Sequence, residues 1–127
     1  MNDHPWISQY DAGVPATLEP YPDRTLLEYI DDAVAERPSR PALLFKGAEI
    51  SYRRLNDESD AFASALASLG VRAGERVAVV LPNCPQFFIV ELAAWKLGAV
   101  LVPLNPIYTA EELEGPVRTT GARVVVT

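Results

Sequence analysis

A chain of 127 residues, 49% hydrophobic and 22% charged, has the mix of an ordinary globular protein and enough length to bury a core. Its formal charge of -6 excludes the basic face expected of a nucleic-acid binder and gives no general pull toward anionic lipid. A single cysteine, Cys84, cannot form an internal disulfide, so the fold does not depend on an oxidising compartment.

The start, residues 1–10, has neither the basic region nor the apolar run of a secretory leader. The longest apolar stretch, Phe87 to Leu97, is interrupted by Glu91 and Lys96 and is far short of the ~20 residues that span a bilayer. The cytoplasm is the default location. Residues 1–24 carry four of the eleven prolines, together with Trp6, Tyr10 and Tyr21, and show no periodicity. Proline fixes φ and removes a donor, so this segment is predicted to be an extended arm, either a loosely docked tail or one that packs on its own domain or on a second subunit.

Residues 25–127 read as a second unit. Thr25 with Glu28 forms a capping box. Leu26, Ile30, Ala33 and Val34 follow at helical spacing, with Asp31, Asp32 and Glu36 on the solvent side, up to Arg37 before Pro38. Ala42–Phe45 and 49–52 are short runs around a Gly-containing turn, the pattern of a β-hairpin. Leu55, Ser59, Phe62, Ala63, Leu66 and Leu69 then predict a second amphipathic helix, stopped at Gly70.

From Arg76 the pattern becomes strand–helix alternation. Residues 76–81 form a nearly continuous apolar run, as a strand covered on both faces requires. Pro82-Asn83-Cys84-Pro85 breaks it, with Pro85 placed for the first turn of a helix that runs to Leu97. That helix is apolar on almost every side, so it is predicted to be a core helix. Ala99–Val102 is a second strand closed by Pro103. Thr109 with Glu112 opens another helix, with a kink or break expected near Gly115-Pro116, and residues 123–127 begin a third strand. The fold class is therefore α/β: an arm, a helix and a hairpin, then a β-α-β-α-β parallel, Rossmann-like unit. The chain reaches its end in or beside a strand, which predicts part of a larger domain, with an exposed sheet edge prone to self-association.

Catalytic constellations are absent from these residues. The only histidine, His4, lies in the arm, which leaves no Ser-His-Asp set and, with Cys84, too few ligands for a metal cluster. There is no dinucleotide fingerprint and no P-loop. Asp31/Asp32 and Glu111/Glu112 are paired carboxylates, but they sit early or exposed on predicted helices, where they complement a dipole or face water. Cys84 near a helix N-terminus reads as a small buried hydrophobe more readily than as a reactive thiol.

Several segments in order resemble the adenylate-forming superfamily of acyl-CoA ligases, luciferases and peptide-synthetase adenylation domains. They are Ile50-Ser-Tyr-Arg-Arg-Leu55, residues 70–83, Lys96-Leu-Gly-Ala-Val-Leu-Val-Pro-Leu-Asn-Pro106, Thr109-Ala-Glu-Glu-Leu113 and residues 121–127. The arm, with Pro5-Trp6, Tyr10 and Gly13-Val14-Pro15, and the Leu104-Asn105-Pro106 turn are similar to long-chain fatty-acid–CoA ligases. The resemblance implies a truncated part of the large N-terminal domain of such enzymes. It implies ATP, Mg²⁺ and coenzyme A as the reactants and cofactor of the parent, and a fatty acid as substrate. It also implies a homodimer through the arm, no transmembrane segment, and compatibility with peripheral membrane contact. The catalytic residues, the phosphate loop and the acyl pocket would all lie beyond Thr127, so no catalytic or metal residue is assigned here.

In some members the turn after the second parallel strand lies near the coenzyme A nucleotide. That makes Leu104, Asn105 and Pro106 the candidate cofactor-binding residues, against a purely structural turn. Those members use glycines where this chain has Asn and Pro, and Pro116 also departs from the family pattern. The alternatives are a medium-chain or aryl-acid ligase, an amino-acid adenylation domain, or a non-catalytic α/β interaction module.

Overall fold

The computed structural model describes residues 4–127. Residues 1–3 of the arm lie outside them. The remainder of the arm is not uniformly extended: Pro5–Gln9 forms a short 3-10 helix, with proline at its start where the missing N–H costs nothing. Trp6, Tyr10 and Tyr21 are largely exposed.

Helix α1, Leu26–Glu36, begins with the predicted capping box: the Thr25 hydroxyl accepts from the Glu28 amide, and the Thr25 amide donates to the Glu28 carboxylate. Strands β1, Pro41–Phe45, and β2, Ala48–Ser51, pair antiparallel. Their two-residue turn has Lys46 at φ 49° and Gly47 at φ 82°, the double positive φ that matches the twist of a tight hairpin. Helix α2, Tyr52–Ser68, follows at once. Ser51 caps it, and the amides of Tyr52 and Arg53 donate to the carbonyls of Arg40 and Pro38, which ties the helix start to the α1–β1 connection. The helix buries Leu55, Ser59, Ala63 and Leu66. Leu69, expected on that face, is exposed. The helix ends at Ser68 with Leu69 as its C-cap, Gly70 at φ 92° turns the chain back, and Val71 takes the core position instead.

The second half is a parallel sheet. Strands β3, Arg76–Val79, β4, Val100–Pro103, and β5, Val124–Val126, lie in the order β4-β3-β5. Helix α3, Pro85–Lys96, links β3 to β4, and helix α4, Ala110–Thr120, links β4 to β5. Because β4 and β5 flank β3 on opposite sides, right-handed crossovers put α3 and α4 on opposite faces of the sheet. Val77 and Val79 pack with Leu66, Val90, Ala93 and Ala94 on the α2–α3 face. As expected, α3 is a core helix: its other side supplies Leu92 to a smaller cluster with Ile50 and Leu55 beneath the hairpin.

The break expected at Gly115-Pro116 does not occur, and α4 runs unbroken through Pro116. A proline ring disfavours helix in the residue before it by clashing with that residue's Cβ. Gly115 has none, so that part of the clash is absent.

Candidate functional site

In an open α/β sheet, ligands gather outside the carboxyl ends of the strands. Here that edge consists of the turn after β3, the turn after β4, and Thr127 after β5.

The Leu104-Asn105-Pro106 turn lies on this edge. The Leu104 amide donates to the Val79 carbonyl at 2.8 Å and fixes the turn to the end of the central strand. Asn105 is exposed and shapes the loop from within: its Oδ1 accepts from the Ile107 amide and its carbonyl from the Tyr108 amide, both at 3.1 Å. This leaves the Asn105 Nδ2 group as the turn's outward donor. Pro106 is exposed and has no N–H to offer. Ile107 and Tyr108 are also exposed.

The neighbouring helix start is already satisfied. The Thr109 hydroxyl accepts from the Glu112 amide, and the Glu112 carboxylate accepts from the Thr109 amide at 2.8 Å. A carboxylate at that position occupies the place where a phosphate would gain from the helix dipole. The other turn, Pro82–Cys84, precedes α3. Cys84 is its N-cap residue without a side-chain cap bond, and Pro85 removes a donor. Cys84 is half-buried in a hollow beside Leu43, Phe45 and Phe88. Asp32 is paired with Arg24 at 2.7 Å, and Asp31 and Glu111 face solvent, so the sequence-noted carboxylates converge on nothing.

Two apolar hollows complete the description. A cleft of about 540 Å³ lies where Phe62, Leu81, Ile89, Val126 and Thr127 meet, on the α2–α3 face beside β5. A groove of about 340 Å³ runs between α1, the hairpin and α3, with Tyr29, Phe88 and Trp95 in its walls and Glu91 as its acid. Burial raises the Glu91 carboxyl above the usual range.

The sequence reading placed Lys96 in a motif but gave it no role. It proves to be the polar joint between α2 and α3: its ammonium is mostly buried and donates to the Asn56 carbonyl, Asn56 Oδ1, Ser59 Oγ and Asp60 Oδ1. The available signal was a lone cation at the end of a largely apolar helix, together with Ser59 at a core position of α2.

Residues 30–127 match the family described as AMP-binding enzyme. The chain belongs to that family. It is 34% identical, over all 127 residues, to a long-chain-fatty-acid–CoA ligase of Bacillus subtilis (strain 168), of which it covers 22%. Among solved structures it resembles NpsA-ThdA, an artificially fused adenylation–PCP di-domain from Klebsiella oxytoca. That match has a TM-score of 0.77 and 30% identity, over 83% of this chain and 20% of the other. It also resembles the NpsA N-terminal subdomain from Klebsiella oxytoca in complex with 3-hydroxyanthranilyl-AMSN, with a TM-score of 0.75 and 27% identity, over 82% of this chain and 29% of that one. The α/β fold with its parallel sheet is thus that of the N-terminal part of adenylation enzymes. The chain spans about a fifth of the length of the curated relative it matches.

Members of such a family handle ATP, and Mg²⁺ is the metal the resemblance brings with it. Among the described residues no three His, Cys, Asp or Glu side chains converge as a metal would need. These residues do not fit the ion, and no step is routed through it. Among the described residues, no helix is long and apolar enough to cross a membrane.

Proposed function

We propose that this chain is the N-terminal part of an ATP-dependent acid–CoA ligase, with a long-chain fatty acid as the acid. The observation that carries this reading is the 34% identity to a long-chain-fatty-acid–CoA ligase over the whole chain, arm included. The reaction has two steps. A carboxylate oxygen attacks the α-phosphorus of ATP and expels pyrophosphate, giving an acyl-adenylate. The thiol sulfur of coenzyme A then attacks the acyl carbon, and AMP leaves as the thiol loses its proton. Adenylation turns a poor leaving oxygen into a good one.

In this reading residues 25–127 are scaffold for the domain and residues 1–24 are an arm that reaches a second subunit. Leu104, Asn105 and Pro106 form a contact for coenzyme A. The exposed carboxyl-edge position of the turn and the outward Nδ2 of Asn105 support the last assignment. The protein would work in the cytoplasm on a fatty acid, with peripheral contact at a membrane that holds the lipid.

The test is acid-dependent ATP–pyrophosphate exchange by the longest native product that carries this sequence, with the 127-residue chain alone as control. Exchange with palmitate, and none with acetate, benzoate or amino acids, is expected. In the same protein Asn105→Ala is expected to raise the KM for coenzyme A several-fold and leave pyrophosphate exchange unchanged. An unchanged KM would remove the coenzyme A contact without touching the ligase reading.

A second reading is favoured by one observation, the likeness to NpsA bound to an aryl-adenylate analogue. Exchange with aryl acids alone would select it.

A further inference from the structure

The two charges on α3 are treated unequally. Lys96, at the end of the helix, is met by acceptors from Asn56, Ser59 and Asp60. Glu91, in the middle, is half-buried. Among the described residues, neither a hydrogen bond nor a neighbouring charge offsets the water it has lost. A carboxylate kept in such a place carries a cost that a cation beside it would relieve.

The surroundings narrow the kind of cation. Phe88, Glu91 and Trp95 follow at spacings of three and four, which sets the carboxylate between two aromatic side chains on one face of α3. This face looks away from the sheet, where Leu92 joins the cluster beneath the hairpin. Tyr29 of α1 and Tyr52, the first residue of α2, line the same groove of about 340 Å³. Among the described residues, none of these four rings pairs with another of the four, and Tyr29 and Phe88 are each 43% exposed. Ring faces are therefore open. One of these rings already holds a cation on its rim: the Arg24 guanidinium lies 4.6 Å from the centre of Tyr29. Arg24 is committed to Asp32 at 2.7 Å and is not part of the groove wall.

An ammonium with N–H groups needs an acceptor for each. Apart from two tyrosine hydroxyls, the side chains of these walls offer one carboxylate. A quaternary ammonium has no N–H to satisfy, is weakly hydrated, and is attracted by ring faces as well as by the charge. The volume is at the small end for ligand pockets, which suits a small molecule.

We propose that the groove between α1, the hairpin and α3 binds a small quaternary ammonium compound, its cationic head between Phe88 and Trp95 against the Glu91 carboxylate and its apolar stem along Leu43. The site is separate from the turn after β4 and does not depend on which acid the parent enzyme activates.

The test is calorimetric titration of butyltrimethylammonium into the longest native product that carries this sequence. Saturable binding is expected, with a melting temperature that rises as ligand is added. Butylammonium should bind more weakly, since its N–H groups lose water without full replacement. Choline should bind at least about tenfold more tightly than its neutral isostere, in which carbon replaces the nitrogen. Glu91→Gln keeps the shape and is expected to weaken butyltrimethylammonium binding at least about tenfold. Glu111→Gln, the same loss of charge at an exposed site, leaves it unchanged. Phe88→Leu keeps an apolar side chain, removes a ring and should weaken binding several-fold. No saturable binding, a neutral isostere that binds as well as choline, or butylammonium binding as tightly as the quaternary compound would each overturn the proposal. So would a Glu91→Gln or Phe88→Leu protein that binds like its parent, or equal losses in Glu91→Gln and Glu111→Gln.

Discussion

Helices α2 and α3 are shared by two hydrophobic clusters of unequal depth. Toward the sheet they enclose nine buried residues, among them Leu66, Val77, Val79 and Val90. Toward α1 and the hairpin they enclose only Ile50, Leu55 and Leu92, while Leu27, Ile30 and Leu43 stay half-buried and Leu44 is 74% exposed. The reason is architectural. A central parallel strand is covered on both faces and can be apolar throughout. A two-stranded hairpin has one covered face and is marginal alone, so it leans on helices it did not build. The comparison implies that the sheet side carries the stability and the hairpin side follows it.

Truncation on each side tests this most strongly. Leu66→Ala, at a residue 1% exposed, is expected to cost about 2–5 kcal/mol in urea unfolding. Ile30→Ala, half-buried on the hairpin side, should cost about 1 kcal/mol. Similar costs would break the comparison. The joint between the clusters comes next. Lys96→Ala removes the donor shared by Asn56, Ser59 and Asp60, and is expected to cost about 1–3 kcal/mol, since Ser59 is fully buried while Asp60 remains solvated. A cost below that range would mean that apolar packing alone holds α2 to α3.

Much of this was legible in the sequence because local chemistry set it. The boxes at Thr25 and Thr109, the Lys46-Gly47 turn, the apolar run into β3 and the all-apolar α3 each form for reasons contained in a few adjacent residues. The misreadings came from competition between neighbours. Pro116 announced a break, but Gly115 before it has no Cβ to clash with the ring, and the helix continues. Leu69 fitted the helical period, but the helix stops one residue earlier, and the turn at Gly70 gives the core to Val71. The proline-rich arm suggested extension, but Pro5 also suits the first turn of a short helix. The candidate turn at Leu104–Pro106 was visible as a break after a strand. The commitment of Asn105 Oδ1 to the loop itself was not, since only the fold says which amide it meets.

Helix α4 sharpens the lesson about Pro116, with a smaller effect. Pro116→Ala restores an amide that can donate to the Glu112 carbonyl and is expected to stabilise the chain by about 1 kcal/mol, partly offset by a freer unfolded chain. A loss of stability would show that the proline's rigidity outweighs the missing bond.

The smallest expected effect lies in the shallower cluster and depends on pH. Glu91 lines the groove between α1, the hairpin and α3, and burial raises its carboxyl in the folded chain. Between the unfolded carboxyl value, about 4.3, and the raised folded value, the native state holds more protons than the unfolded one, so stability falls as pH rises through that window. Above it the charge is carried at a standing cost. Glu91→Gln keeps the shape and removes the charge. Its melting temperature should therefore exceed that of the parent at pH 7, by a modest margin because water still reaches the groove. The margin should shrink as pH drops through the folded value and vanish near pH 4, where both side chains are neutral. A parent that is the more stable of the two at pH 7 would mean that the carboxylate holds a favourable contact, and the hairpin side would then owe more to polar chemistry than its thin apolar cluster suggests.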